Sequence, residues 1–253
     1  MSVLRIAAVA GAILATTTVG AKATDGSYVD HITGAESGGD YAIFNTLGHT
    51  EALGRYQFIP STFAGLGFMT QTGNCTSSWS CYSFNSTAHA AGVYSLDDLR
   101  HTAAGHALQD QAFNQFTEAN WGYMNSTTQN TVGTTVNGVT ITRESLLSAA
   151  HFLGPGALND YVASGFDPTV LPWSYVTANG FSSYAELQDY LMNRMADASG
   201  TTYDGSFPGG SGGGGMIDVG TDGFPGFGSK RVVRVQERPP FQGQRPNLRL
   251  GGS

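Results

Sequence analysis

Apolar residues recur along the chain at helical spacing more often than in alternation. Tyr28, Val29, Ile32 and Ala35 fall on one helical face, and Gly38-Gly39 then breaks the pattern. The spacing predicts a short helix ending near Glu36. Pro60 can open a second helix, because proline is tolerated in a first turn. Ser95-Leu-Asp-Asp98 reads as an N-terminal cap, and Leu99, Ala103, Ala112, Phe113 and Phe116 behind it predict one long helix. Thr142 precedes a further helical segment, Arg143 to Leu153. Ser183-Tyr-Ala-Glu186 is a capping box leading into Leu187, Tyr190, Leu191 and Met195. One strand pair is legible. Thr134 to Val136 and Val139 to Ile141 flank Asn137-Gly138, a dipeptide suited to the positive φ angles of a tight hairpin turn. The fold class expected is mainly α (α+β), a helical domain with a small β-hairpin.

Composition divides the chain into three zones. The first, residues 1–23, has a positive start, an apolar stretch from Ile6 to Val19 and the small-residue pattern Ala21-Lys22-Ala23. Those features describe a secretory signal peptide. Residues 24–204 hold nearly all the aliphatic and aromatic residues and are expected to form the core. Residues 205–253 are rich in Gly, Pro and Arg, bury too little apolar surface to offset ordering entropy, and are expected to be a disordered tail. No later segment approaches ~18 consecutive apolar residues, so the mature protein is expected to carry no integral membrane segment.

Charge is uneven. Residues 24–205 carry four Lys and Arg against 16 Asp and Glu, a net of −12. That acidity suits no nucleic-acid partner. Residues 206–253 carry six against three, a net of +3, and the basic stretch 230–253 is a candidate protein-binding tail. The two cysteines, Cys75 and Cys81, lie in the exported part, where a disulfide is permitted; the alternative is a pair of reduced, buried thiols. Two cysteines without a matching histidine pair do not make a metal site, and no cofactor is implied.

The candidate chemistry begins at Glu36, in Ile32-Thr-Gly-Ala-Glu-Ser-Gly-Gly-Asp40. A carboxyl facing an apolar cleft loses solvation, holds its proton, and can protonate a departing glycosidic oxygen. Downstream, Gln57 can hydrogen-bond an N-acetyl or hydroxyl group, and Tyr56 and Phe58 can wall a sugar-binding cleft. Phe58 also suits a buried turn.

Three motifs in order, Glu36-Ser37-Gly38-Gly39, Gly54-Arg-Tyr-Gln57 with Pro60-Ser-Thr62, and Ala149-Ala-His-Phe-Leu-Gly-Pro-Gly156, resemble the lytic transglycosylases of the lysozyme-like superfamily. The middle one looks especially like phage-type members. The resemblance spans roughly residues 28 to 195. It implies a lysozyme-like domain whose substrate is the glycan strand of peptidoglycan. By the same resemblance, Glu36 is the single acid/base, Ser37 orients the sugar's N-acetyl group or the glutamate, and Gln57 lines the cleft. The third motif departs from the family's Ala-Tyr-Asn-Ala-Gly: His151 stands in the tyrosine's place. A histidine can donate a hydrogen bond to Glu36 but titrates near neutrality, which makes its effect pH-dependent. The family reaction protonates the leaving oxygen and then closes a 1,6-anhydro ring on the muramyl unit. Hydrolysis instead needs a second carboxylate, for which Asp40 and Glu51 are candidates. Another class also remains open: a non-catalytic glycan-binding component of an envelope machine. The signal segment predicts an exported protein, and with the resemblance, which points to bacteria, a periplasmic or secreted one.

Overall fold

A computed structural model describes residues 26–45, 51–75 and 78–205. The expected signal segment, 1–23, and nearly all of the expected tail, 205–253, lie outside the described residues. The described elements, in chain order, are β1 (Gly26–Ser27), α1 (Tyr28–Glu36), β2 (Phe44–Asn45), β3 (Ala52–Leu53), α2 (Pro60–Gly65), β4 (Met69–Gln71), β5 (Tyr82–Phe84), α3 (Ser86–Ala90), α4 (Leu96–His101), α5 (Ala103–Tyr123), α6 (Ser126–Gln129), β6 (Thr135–Val136), β7 (Val139–Thr140), α7 (Arg143–Leu153), α8 (Pro155–Ala163), α9 (Ser174–Thr177), α10 (Tyr184–Ser199) and β8 (Thr201–Thr202). Helices dominate, as the periodicity predicts.

Three helices start where the sequence placed them. Pro60 occupies the first turn of α2, Thr142 caps α7 through Ser145 N, and Ser183 caps α10 through Glu186 N. The reciprocal arm of the α10 box is displaced by one residue: Glu186 Oε2 accepts from Ser182 N at 2.8 Å.

The long helix predicted after Ser95 is two helices. Thr102 has extended backbone angles, φ −105° and ψ 154°, and stops α4. Its hydroxyl accepts from Gly105 N at 3.0 Å and donates to Asp98 O at 2.8 Å, so it caps α5 while closing α4. Gly105 makes the bend possible. A Cβ there would stand 2.0 Å from Asp98 O.

The Asn-Gly hairpin forms as expected. Thr135 pairs with Thr140 and Val136 with Val139, across Asn137 (φ 49°) and Gly138 (φ 81°). Three further two-stranded pairs were not legible beforehand. β2 and β3 are antiparallel, β4 and β5 form a second antiparallel pair, and β1 runs parallel to β8.

The core is built around α7, which is buried from Ser145 to Leu153 on all sides. A helix enclosed this way must be lined by neighbours all round; α5, α8 and α10 pack against it. Small residues, Ser148, Ala149 and Ala150, let those neighbours approach closely. On the other side Phe113 of α5 stacks on Tyr56 with ring centroids 4.2 Å apart and lies 6.1 Å from Tyr28 of α1.

Cys75 and Cys81 are bonded, with Cα atoms 5.7 Å apart. The bridge closes the loop between β4 and β5 around Trp79, which is buried against Phe63 at 5.6 Å. Cross-linking across a sequence separation of 6 removes loop entropy worth about 2 kcal/mol from the unfolded chain. Replacing both cysteines by serine is expected to lower the unfolding free energy by that amount in urea titration.

Candidate functional site

Glu36 ends α1 on the face that carries Val29, Ile32 and Thr33, all buried. A side chain at that position is turned into the protein by helical periodicity alone. Glu36 is accordingly 4% exposed. Directly after it the helix unwinds: the N–H groups of Ser37 and Gly38 both donate to Thr33 O at 2.9 Å, and Gly38 takes φ 68°.

The group that meets Glu36 comes from the far end of the chain. Arg194 of α10 shares the buried face of Leu187, Leu191, Met195 and Ala198. Its guanidinium donates three ways: Nε to Ser148 O at 2.9 Å, Nη1 to Tyr190 Oη at 2.9 Å, and Nη2 to Glu36 Oε1 at 3.0 Å. Burial works against the charge on Arg194, but Tyr190 and Glu36 outweigh it and its pKa is raised. From α7, His151 brings Nε2 to 3.6 Å from the same carboxylate oxygen. The imidazole is 2% exposed and lies 5.5–5.9 Å from the rings of Phe58, Phe113 and Phe116. His31, on α1 itself, holds Ser148 Oγ at 2.8 Å through Nε2. Its pKa is pushed down to about 4, first by burial and then by the charge on Arg194, so at neutral pH it is uncharged.

The second motif is a turn locked onto this site. Ser37 Oγ donates to Arg55 O at 2.7 Å and accepts from Gly39 N at 3.0 Å. It thereby ties the end of α1 to the Gly54–Gln57 turn. Gly54 has φ 79°, and a Cβ there would lie 2.0 Å from Gln109 Oε1, which accepts from Arg55 N at 2.9 Å. Only glycine fits that approach. Gln57 adopts φ 51° and folds its amide back to donate to Gly54 O at 2.9 Å. Behind the turn, Asp110 accepts from Tyr56 Oη at 2.7 Å and from Tyr41 Oη at 2.8 and 2.9 Å, while Arg55 Nη1 donates to Tyr41 Oη at 2.7 Å. Burial raises the Asp110 pKa against the pull of the two tyrosines and Arg55.

The remaining candidates are placed as follows. Tyr56 and Phe58 are 0% and 2% exposed and belong to the aromatic core, where they carry the turn instead of presenting a surface. Gln57 is buried, with its amide directed to the backbone. Asp40 is exposed and accepts from Ala42 N at 2.8 Å, a local turn contact. Glu51 anchors the disulfide loop: its Oε2 accepts from Trp79 N at 2.8 Å and Ser78 Oγ at 3.0 Å. Glu36 and His151 are thus brought together, Ser37 ties the end of α1 to the Arg55 carbonyl, and Gln57 lies in that same turn with its amide on Gly54 O.

Sequence reasoning missed Arg194, His31, Ser148 and Asp110. Arg194 had a signal: a lone arginine on the apolar stripe of an otherwise amphipathic helix, which needs a buried partner. Asp110 has the same kind of position, beside Gln109 and Phe113 on α5. His31 and Ser148 carry no comparable mark.

Chemically, Glu36 stands between two opposed influences. Burial favours the neutral acid, and the adjacent guanidinium favours the anion. His151 adds a titratable nitrogen close enough to exchange a proton after a small movement. Among the described residues no group of three or more His, Cys, Asp or Glu side chains is arranged to hold a metal ion, and no helix is long and apolar enough to cross a membrane. Comparisons with protein-family models, with curated proteins and with solved structures each returned no match.

Proposed function

We propose that the chain is an exported lytic transglycosylase with a lysozyme-like domain, cleaving the β-1,4 bond between N-acetylmuramic acid and N-acetylglucosamine in peptidoglycan. One observation carries the reading. Three sequence segments far apart in the chain, 36–39, 54–57 and 149–156, meet at the end of α1: Ser37 holds the Arg55 carbonyl at 2.7 Å, and His151 stands 3.6 Å from Glu36. These are the segments that carry the family resemblance.

In this reading Glu36 in its acid form protonates the oxygen leaving C1, and the C1–O bond breaks. The substrate's own N-acetyl group supports the cationic carbon. Glu36, now a carboxylate, takes the proton of the muramyl C6 hydroxyl as that oxygen attacks C1, and the acid is restored. A second carboxylate is not required. Asp40 and Glu51 both spend an oxygen on nearby backbone amides, which weighs against the hydrolytic alternative. Digestion of purified peptidoglycan, read by mass spectrometry, is expected to give 1,6-anhydro-muramyl ends. Hydrated reducing ends alone would replace transglycosylation with hydrolysis.

A second reading has its own support. The Glu36–Arg194 contact, with both side chains about 95% buried, is also the form of an internal ion pair in a non-catalytic glycan-binding protein. Co-sedimentation with cell walls and no released fragments would favour it.

A further inference from the structure

Arg194 has three donors engaged on three different groups, from α7, α10 and α1. Such a guanidinium cannot rotate away without breaking all three bonds, and its planar fork makes it rigid. The carboxylate oxygen it reaches is the one His151 approaches. Among the described residues, the charged and titratable groups that face Glu36 include Arg194 on α10, with Tyr190 bonded to it, His151 on α7, and His31 and Tyr28 on α1 itself. Of these, His31 is uncharged at neutral pH, and Tyr28 is held protonated by its burial. Arg194 is the permanent cation of the set.

We propose that Arg194 is the positioning residue of this site, fixing the Glu36 carboxyl in one orientation through Oε1 and holding it as the anion in the resting protein. For activity this rests on the reading of Glu36 as the reacting carboxyl; the electrostatic claim does not. An enzyme whose acid is held as an anion works best in acidic solution, where a larger share of Glu36 carries its proton.

The test reads Glu36 directly. The side-chain carboxyl carbon, labelled with ¹³C and assigned by comparison with Glu36→Gln, is titrated by NMR in the wild type and in Arg194→Met. The midpoint is expected to rise in the variant by about one to three pH units, the usual effect of a cation in contact with a carboxylate. The alkaline limb of the activity profile is expected to move up with it. An unchanged midpoint overturns the proposal even if wall cleavage is confirmed. A shifted midpoint in a protein that cleaves nothing leaves the electrostatic role standing and removes the catalytic one.

Should Arg194→Met fail to fold, the melting temperatures of the wild type and Glu36→Gln across pH test whether Glu36 is held as the anion at all, without which Arg194 cannot have that role. A carboxyl whose folded pKa is depressed contributes stability above its unfolded pKa, near 4.3, and loses it as pH falls through the folded value. The wild-type advantage is therefore expected to be full near pH 6 and to vanish in acid. An advantage that instead grows as pH falls from 6 to 4 would mean that Glu36 is buried neutral, and the proposal fails.

Discussion

Arg194→Met lowers the free energy of unfolding by about 3–5 kcal/mol, the cost of stranding a buried charge without its partner. Methionine fills much of the arginine's volume, so little of the loss is cavity. What remains is the Glu36 carboxylate, 4% exposed, without the Arg194 charge beside it, together with the Ser148 carbonyl and Tyr190 hydroxyl each short of one donor. A domain with the usual ~5–15 kcal/mol of stability still folds, at reduced temperature. The decisive measurement is a double-mutant cycle in urea. Adding Glu36→Gln to Arg194→Met removes the stranded charge and is expected to recover at least about 1 kcal/mol. If the two losses simply add, the pair is not coupled and Arg194 acts by packing alone.

Glu36→Gln is expected to reduce peptidoglycan cleavage by about 100- to 10,000-fold, the range general acid–base catalysis supplies. The amide keeps an oxygen for Arg194 Nη2 and nearly the same volume, but it can neither give nor accept the proton the reaction needs. The fall should appear in kcat, with binding to cell walls retained. Clearing of a wall suspension by wild type and variant, compared at equal concentrations and matched near-ultraviolet circular dichroism, checks it. Equal clearing by the two proteins would remove Glu36 from the chemistry.

Much of the helical frame was legible because its signals are local. Ser95 and Ser183 cap helices where caps were read, the helix expected after Thr142 forms, and Asn137-Gly138 turns the hairpin. Thr102 was missed because nothing in an amphipathic stripe marks a threonine that caps the next helix while closing the last; the mark was Gly105, whose missing Cβ admits the Asp98 carbonyl. The short strand pairs were missed because two-residue strands hold too little pattern to read. At the site, Glu36 was found through its motif and its place at the end of a short helix. Tyr56 and Phe58 read as cleft walls because an aromatic beside a polar motif looks the same whether it faces ligand or core. Only packing against Phe113 and Phe116 separates the two. Arg194 escaped because its meaning depends on a partner that no local window contains.

That partnership spans 158 positions, and the span has a consequence for how the protein comes into being. A ribosome delivers Glu36 early and Arg194 late. Until α10 has emerged and docked on α7, the carboxylate lacks the Arg194 guanidinium beside it. A chain cut short before Tyr184 would carry every residue of the family-like motifs and still lack the assembled site. Synthesis must run almost to the end of the described domain before Glu36 is seated. The pair thus ties the seating of one of the first described helices to the docking of the last described one.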